Sequence, residues 1–247
     1  NRIRLHDVAV NSLSLAFWEA KMNEDLYKKE IECPVCLEKF YVTKVKSKAC
    51  RVQSRDTDFC VYYKGINPIF YDAWVCENCG YASLSDKFSE ISNKDAKIIK
   101  ENISGKWVKR SMEGERNLEA ALEAFKLVLY NYQVRGAKAS EMAKVCLRIA
   151  WLYRLKNDPK ENDFLEHALN YYIETYEKEK FPADKLDENT CIYMIGELSL
   201  RTGKYEEAVK WFSRLITSRD TKPNSALKEM ARDRYQLVKD KLTNTGS

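Results

Sequence analysis

Residues 189–220 read NTCIYMIGELSLRTGKYEEAVKWFSRLITSRD, and this stretch decides the larger part of the fold. Apolar residues recur at helical spacing on both sides of Gly203, which predicts two helices joined by a short turn. Gly196 in the first helix and Ala208 in the second are small enough to let the two backbones approach. Tyr205 and Phe212 are large enough to fill the space toward the next neighbour. Such a pair cannot bury its apolar faces alone, so it implies further pairs stacked against it.

The positions of Gly196, Gly203, Tyr205, Ala208 and Phe212 are those of the tetratricopeptide pattern. Working back along the chain, a weaker copy places Ala150 and Tyr153 on one helix and Ala168 and Tyr172 on the next, with extra residues around Asn157–Glu161. Ala121 with Phe125 is a third trace, so the alanine anchors fall at 121, 168 and 208, an irregular period of 47 and then 40 residues. Helices are predicted over roughly 115–134, 138–157, 161–180, 186–202, 204–218 and 224–242. Ser85-Asp86 and Ser92-Asn93 read as helix N-caps upstream of them. Trp151, Tyr171, Tyr172 and Tyr176 are expected in the core, because stacked helix pairs consume aromatics there.

Upstream of residue 84 the pattern changes. Cys33-Pro34-Val35-Cys36 and Cys76-Glu77-Asn78-Cys79-Gly80 are two CxxC turns. Each aims two sulfurs at one point, and two such turns facing each other complete a tetrahedron around zinc with Zn–S near 2.3 Å, about the usual bond length. Gly80 is the residue a tight knuckle with positive φ asks for. Four thiolates leave no open position for water, so the zinc is expected to be structural. A redox role for CxxC would need a βαβ setting that is missing here. Cys50 and Cys60 read first as small buried hydrophobes; the alternative is that either substitutes for a ligand or completes a second site. Between the knuckles, alternation over Tyr41–Ala49 and the β-branched and aromatic run Ile69–Val75 predict strands, with a turn at Gly65-Ile66-Asn67-Pro68. The fold class expected is α+β, mostly α: a zinc-ribbon-like module over 22–83 followed by a tetratricopeptide-like array over 84–247.

Charge bounds the function. Residues 31–83 carry seven Lys/Arg against six Asp/Glu. Four thiolates and one zinc would leave that module near neutral, which is not the footprint of a strong nucleic-acid binder. Lys44, Lys46 and Lys48 are predicted to line one strand face, and with Arg51 and Arg55 they form the candidate anion or nucleic-acid contact. The plainer reading is a solvated edge, with Asp56 and Asp58 neutralising the two arginines. His6 and His167 have no evident catalytic partner, and no phosphate loop, dinucleotide fingerprint or HExxH motif appears. No apolar run approaches the roughly 18 residues of a membrane span. Eight cysteines without a secretory pattern are expected in a reducing cytoplasm.

Residues 1–21 read as a translated leader or other extension. Met22-Asn23-Glu24-Asp25 would be an ordinary bacterial start, and Trp18-Glu19-Ala20-Lys21 can be encoded with a ribosome-binding sequence just upstream. An amphipathic helix built on Val8, Leu13, Leu15 and Phe17 is the alternative.

CPVC at 33–36, RDTDFC at 55–60, Tyr63, Gly65, INP at 66–68, FYDAWVC at 70–76 and CENCGYA at 76–82 together resemble the bacterial family named domain of unknown function 2225. The resemblance covers about 22–245; its specific part is 33–82. The family usually has proline where this chain has Glu77, which leaves the cysteine spacing intact. It implies a bacterial cytoplasmic protein and names no reaction. The expected function is a zinc-stabilised, non-enzymatic scaffold whose helical array binds a protein or peptide. The alternatives are a nucleic-acid-associated factor and a metal- or thiol-dependent enzyme.

Overall fold

The computed structural model describes residues 24–218 and 225–245. The expectation for residues 1–21, and His6 with it, lies outside them. The described residues open with an antiparallel pair, β1 (Leu26–Glu32) and β2 (Lys39–Val45), aligned from Leu26 opposite Val45 to Glu32 opposite Lys39. Phe40 and Val42 are buried while Tyr41 between them is exposed, the period of two expected for a strand with one face on a core. A second hairpin joins β3 (Arg51–Arg55) to β4 (Val61–Lys64), and a third pair joins β5 (Ala73–Val75) to β6 (Ala82–Leu84). Seven α-helices follow among the described residues: α1 (Asn93–Asn102), α2 (Leu118–Arg135), α3 (Ala139–Leu155), α4 (Lys160–Lys178), α5 (Glu188–Arg201), α6 (Tyr205–Thr217) and α7 (Ser225–Thr245). The chain is α+β and mostly α.

The six helices predicted from residue 115 onward correspond to α2–α7, and side-chain caps set several of their starts. Asn117 accepts from the Ala120 amide at 2.9 Å, and Asp187 accepts from the Thr190 amide at 2.9 Å. Ser92 caps α1 as expected, accepting from the Asp95 amide at 3.1 Å. Ser85-Asp86 caps nothing: Ser85 donates its amide to the Asp72 carbonyl at 2.7 Å, and the chain turns there instead. The two predicted strands are shorter than expected. β2 stops at Val45 and Ser47–Ala49 forms a 3-10 turn. Pro68–Tyr71 is also a 3-10 turn, begun by the Asn67 side chain accepting from the Ile69 amide at 3.1 Å, so only Ala73–Val75 remains extended.

Each helix from α2 to α7 packs on its neighbour in sequence. Gly196 lets α5 pack tightly on α6: a Cβ there would lie 2.8 Å from the Phe212 ring. Ala208 and Phe212 are fully buried in the same core as Ala150, Ala168 and Tyr193. The strands are not set apart from the helices. Ala73, Val75, Ala82 and Leu84 share a core with Ala121, Phe125 and Val128 of α2. Asn131, fully buried, accepts from the Ala82 amide at 3.1 Å and donates to the Gly80 carbonyl at 3.2 Å, so α2 holds the chain directly behind the second CxxC turn. The strap before α2 is pinned by Arg116, whose buried guanidinium donates to the carbonyls of Phe70, Ala73 and Met112.

Candidate metal centre

The two CxxC turns have the same backbone plan. The Leu37 amide donates to the Cys33 carbonyl at 2.8 Å, and the Cys33 amide to Glu38 at 3.0 Å. The Gly80 amide donates to the Cys76 carbonyl at 2.9 Å, and the Cys76 amide to Tyr81 at 2.7 Å. In each turn the residue after the second cysteine has positive φ, 65° at Leu37 and 74° at Gly80. These matching turns bring Cys33, Cys36, Cys76 and Cys79 together, with their four sulfurs all within 4.8 Å of one another. Cys33 and Cys79 sulfurs are 3.6 Å apart, and those of Cys36 and Cys76 are 3.7 Å apart. The edge of a tetrahedron with 2.3 Å metal–sulfur bonds is about 3.8 Å, so the sulfurs stand nearly where a tetrahedral ion needs them.

The donor set also fits a cation electrostatically. Without one, the thiols can only share protons. Sharing of protons with Cys33 and Cys79 pushes the Cys76 thiol far below the ordinary thiol range. Donation to Cys76 and Cys79, with burial, pushes Cys33 far above the ordinary thiol range. Four clustered thiolates, three of them buried, cannot coexist without positive charge among them, and a divalent ion supplies it. The four cysteines could therefore hold a metal ion.

The surroundings close the site. Phe88, fully buried, has ring-centroid distances of 5.8 Å to Phe40, 5.8 Å to Trp74 and 4.8 Å to Tyr81, and Ile99 and Ile103 join from α1 and just beyond it. Trp107 lies over the second knuckle and donates its indole N–H to the Glu77 carbonyl at 2.8 Å. Its ring leaves no room for a side chain at Gly80, where a Cβ would sit 2.6 Å away. The two knuckles therefore respond oppositely to substitution. Leu37 is 69% exposed in a conformation that costs a side-chain residue energy. Leu37→Gly is expected to raise stability by about 0.5–1 kcal/mol. Gly80→Ala is expected to lower it by about 1–3 kcal/mol through overlap with Trp107. Denaturant midpoints of the two variants check both signs.

Cys50 and Cys60 stand outside the cluster. Cys60 is buried, and burial pushes its thiol up to about 12; the Cys50 sulfur approaches the Lys46 carbonyl at 3.7 Å. The four-cysteine set is complete without either. The expected lysine face does not form. Lys44 lies over the Trp74 ring at 5.8 Å, Lys46 reaches back to the Glu24 carbonyl at 2.7 Å, and Lys48 is in the 3-10 turn after the strand has ended. His167 is exposed and packs edge-on to Phe164 at 5.7 Å.

The expected pairing of Asp56 and Asp58 with Arg51 and Arg55 is also replaced. Both arginines are exposed on β3. The aspartates point instead into the helices. Asp58, with no exposed surface, accepts from Arg154 at 2.6 Å and from the Trp151 indole at 3.0 Å; Asp56 accepts from Arg154 at 2.7 Å. Arg154 also binds Glu161 at 2.7 Å. Beside them, fully buried Glu197 accepts from Arg201 and from Arg234, each at 2.8 Å, and from the Thr57 hydroxyl at 2.6 Å. Burial pushes the Asp58 carboxyl up, but the hydrogen bonds and charge of Arg154, with Arg201, outweigh it and hold it below the usual carboxylate range. Local sequence offered one signal for this network, the polarity of residues 55–58.

Fold and site together define a mostly helical protein carrying a four-cysteine cluster that could hold a metal ion. No helix among the described residues is long and apolar enough to cross a membrane. A family model described as an uncharacterized protein conserved in bacteria (DUF2225) matches residues 26–238. The chain belongs to that family. No curated protein and no solved structure matches the chain.

Proposed function

We propose that Cys33, Cys36, Cys76 and Cys79 bind one zinc ion as a structural staple. On this reading residues 22–83 are a zinc-ribbon-like module, and the helices of 84–247 form a tetratricopeptide-like scaffold for a protein or peptide partner in the bacterial cytoplasm. The observation that carries it is the sulfur set: three buried cysteines and the half-buried Cys36 meet at spacing close to that of a tetrahedral site, beside Trp107 and Phe88. A tetrahedral ion with four protein ligands has no position left for water or substrate, which supports a stapling role over a catalytic one. Lys44, Lys46 and Lys48 do not share a strand face, which supports the scaffold reading over the nucleic-acid one.

Two measurements test the proposal. The cobalt-substituted protein is expected to absorb as a four-thiolate site; a spectrum of mixed oxygen or nitrogen ligation would return the enzyme reading. Affinity purification from native cells, with mass spectrometry, is expected to retain a protein at fixed stoichiometry. Retention of nucleic acid alone, lost between about 50 and 200 mM salt, would contradict the scaffold.

A further inference from the structure

The β3–β4 hairpin has two contrasting parts. Every residue of β3 is exposed, and the register of the pair shifts between Val52 and Ser54. A two-stranded ribbon of this kind is marginal alone. Its tip, Asp56–Cys60, is instead held by helices distant in sequence. Asp58 binds Trp151 and Arg154 of α3. The Thr57 carbonyl accepts from the Tyr193 hydroxyl of α5 at 2.9 Å, and its side chain lies between Glu197 and Arg201 at 2.6 and 3.1 Å. The Phe59 ring meets Tyr193 at 5.6 Å. Arg234 of α7 braces Glu197 from the far side at 2.8 Å.

The tip is a hydrogen-bonded turn, the Phe59 amide donating to the Asp56 carbonyl at 2.9 Å, and it presents two carboxylates two residues apart, a backbone carbonyl between them and an aromatic ring directly after. The helices are charged to receive them. Arg154, Arg201 and Arg234 exceed Glu161 and Glu197 by one positive charge before the tip contributes Asp56 and Asp58. Phe59 itself has φ +68°, a conformation that bulky side chains adopt only when their surroundings impose it. The tip is thus strongly held at its end, strained there, and weakly supported along its stem.

We infer that the face formed by α3, α5 and α7 is a binding site for an acidic peptide turn with two carboxylates two residues apart and an aromatic immediately after the second. The chain's own hairpin tip occupies that site as a resident ligand, and a partner carrying such a segment enters by displacing it. The inference rests on the scaffold reading and supplies the chemistry of its ligand.

The test uses the full chain carrying Asp58→Ala and Phe59→Ala together, with a fluorescent synthetic peptide spanning residues 54–59 as probe. The double variant is expected to bind the peptide at least about tenfold more tightly than the native chain, because an occupied site lowers apparent affinity by the fraction open. Adding Arg154→Ala is expected to abolish that binding. A double variant with native helical content that ignores the peptide overturns the inference, and does so without touching the scaffold reading, which partner capture tests. Should the double variant not fold, hydrogen exchange of the native chain decides. The Asp56 and Phe59 amides, bonded within the tip, are expected to exchange through an opening that leaves α5 protected. Exchange of those amides only together with α5 overturns the inference.

Discussion

Cys76→Ser is expected to abolish stoichiometric zinc binding and to unfold the structure around the knuckles while much of the helical array persists. Cys76 is fully buried, and its backbone joins the second knuckle to β5, whose Ala73 and Val75 lie in the core shared with α2. Serine offers a hard, weakly acidic oxygen where the ion requires a thiolate. Structural zinc contributes about 10–16 kcal/mol of apparent binding energy in small zinc modules, comparable with the ~5–15 kcal/mol that stabilises a whole domain. The core around the cysteines is too small to persist after such a loss: its fully buried members are few, and they converge on Phe88. The core of α3–α7 contains none of the knuckle residues. Far-UV circular dichroism should therefore fall only in part, while the near-UV signal of Trp74 and Trp107 should collapse. Cys50→Ser and Cys60→Ser are expected to keep full zinc content by elemental analysis.

The second large effect is expected at Arg154. Its guanidinium serves Asp56, Asp58 and Glu161 at once. Arg154→Ala leaves Asp58 buried with the Trp151 indole, the Cys60 amide at 3.3 Å and the more distant Arg201, at 3.7 Å, to answer its charge. Removing one partner of a buried pair costs about 3–5 kcal/mol. Asp58→Asn is expected to cost less, since Arg154 keeps two carboxylates and the amide still accepts a hydrogen bond. A double-mutant cycle in urea gives the coupling. The pH dependence has a definite sign. The folded Asp58 carboxyl titrates below its unfolded value, near 3.9 for an ordinary aspartate. Its contribution is therefore complete above that value and is lost as pH falls through the lower folded one. The native chain should lose stability more steeply below about pH 4 than the Asp58→Asn variant does; comparing the two cancels any acid release of metal common to both.

The cysteine cluster and the Asp58 network differ in how far they could be read from residues alone. The cysteine site was legible because its geometry is local: each CxxC fixes its own turn, and Gly80 marks the tight one. The helices of the array were legible for the same reason, through apolar period and caps. What sequence reasoning missed depends on distance. Asp58 and Arg154 are 96 residues apart, whereas Arg51 and Arg55 are adjacent in sequence and far better placed by proximity. Burial decided the matter: the tip turns its carboxylates into the helices, and β3 leaves its arginines in water. Trp107 over Gly80 is another tertiary decision, made by a strap 30 residues beyond Glu77. The lysine face failed because alternation continued in the sequence past Val45, where the backbone had already curled into a 3-10 turn.

The four-cysteine staple is tested most directly by the native-state mass of the full chain purified without added metal. The expected result is one zinc ion per chain with its ligand protons displaced, unchanged in Cys50→Ser and Cys60→Ser and lost in Cys76→Ser. A chain that carries no metal, with the four cysteines found as free thiols or paired as disulfides, would contradict it.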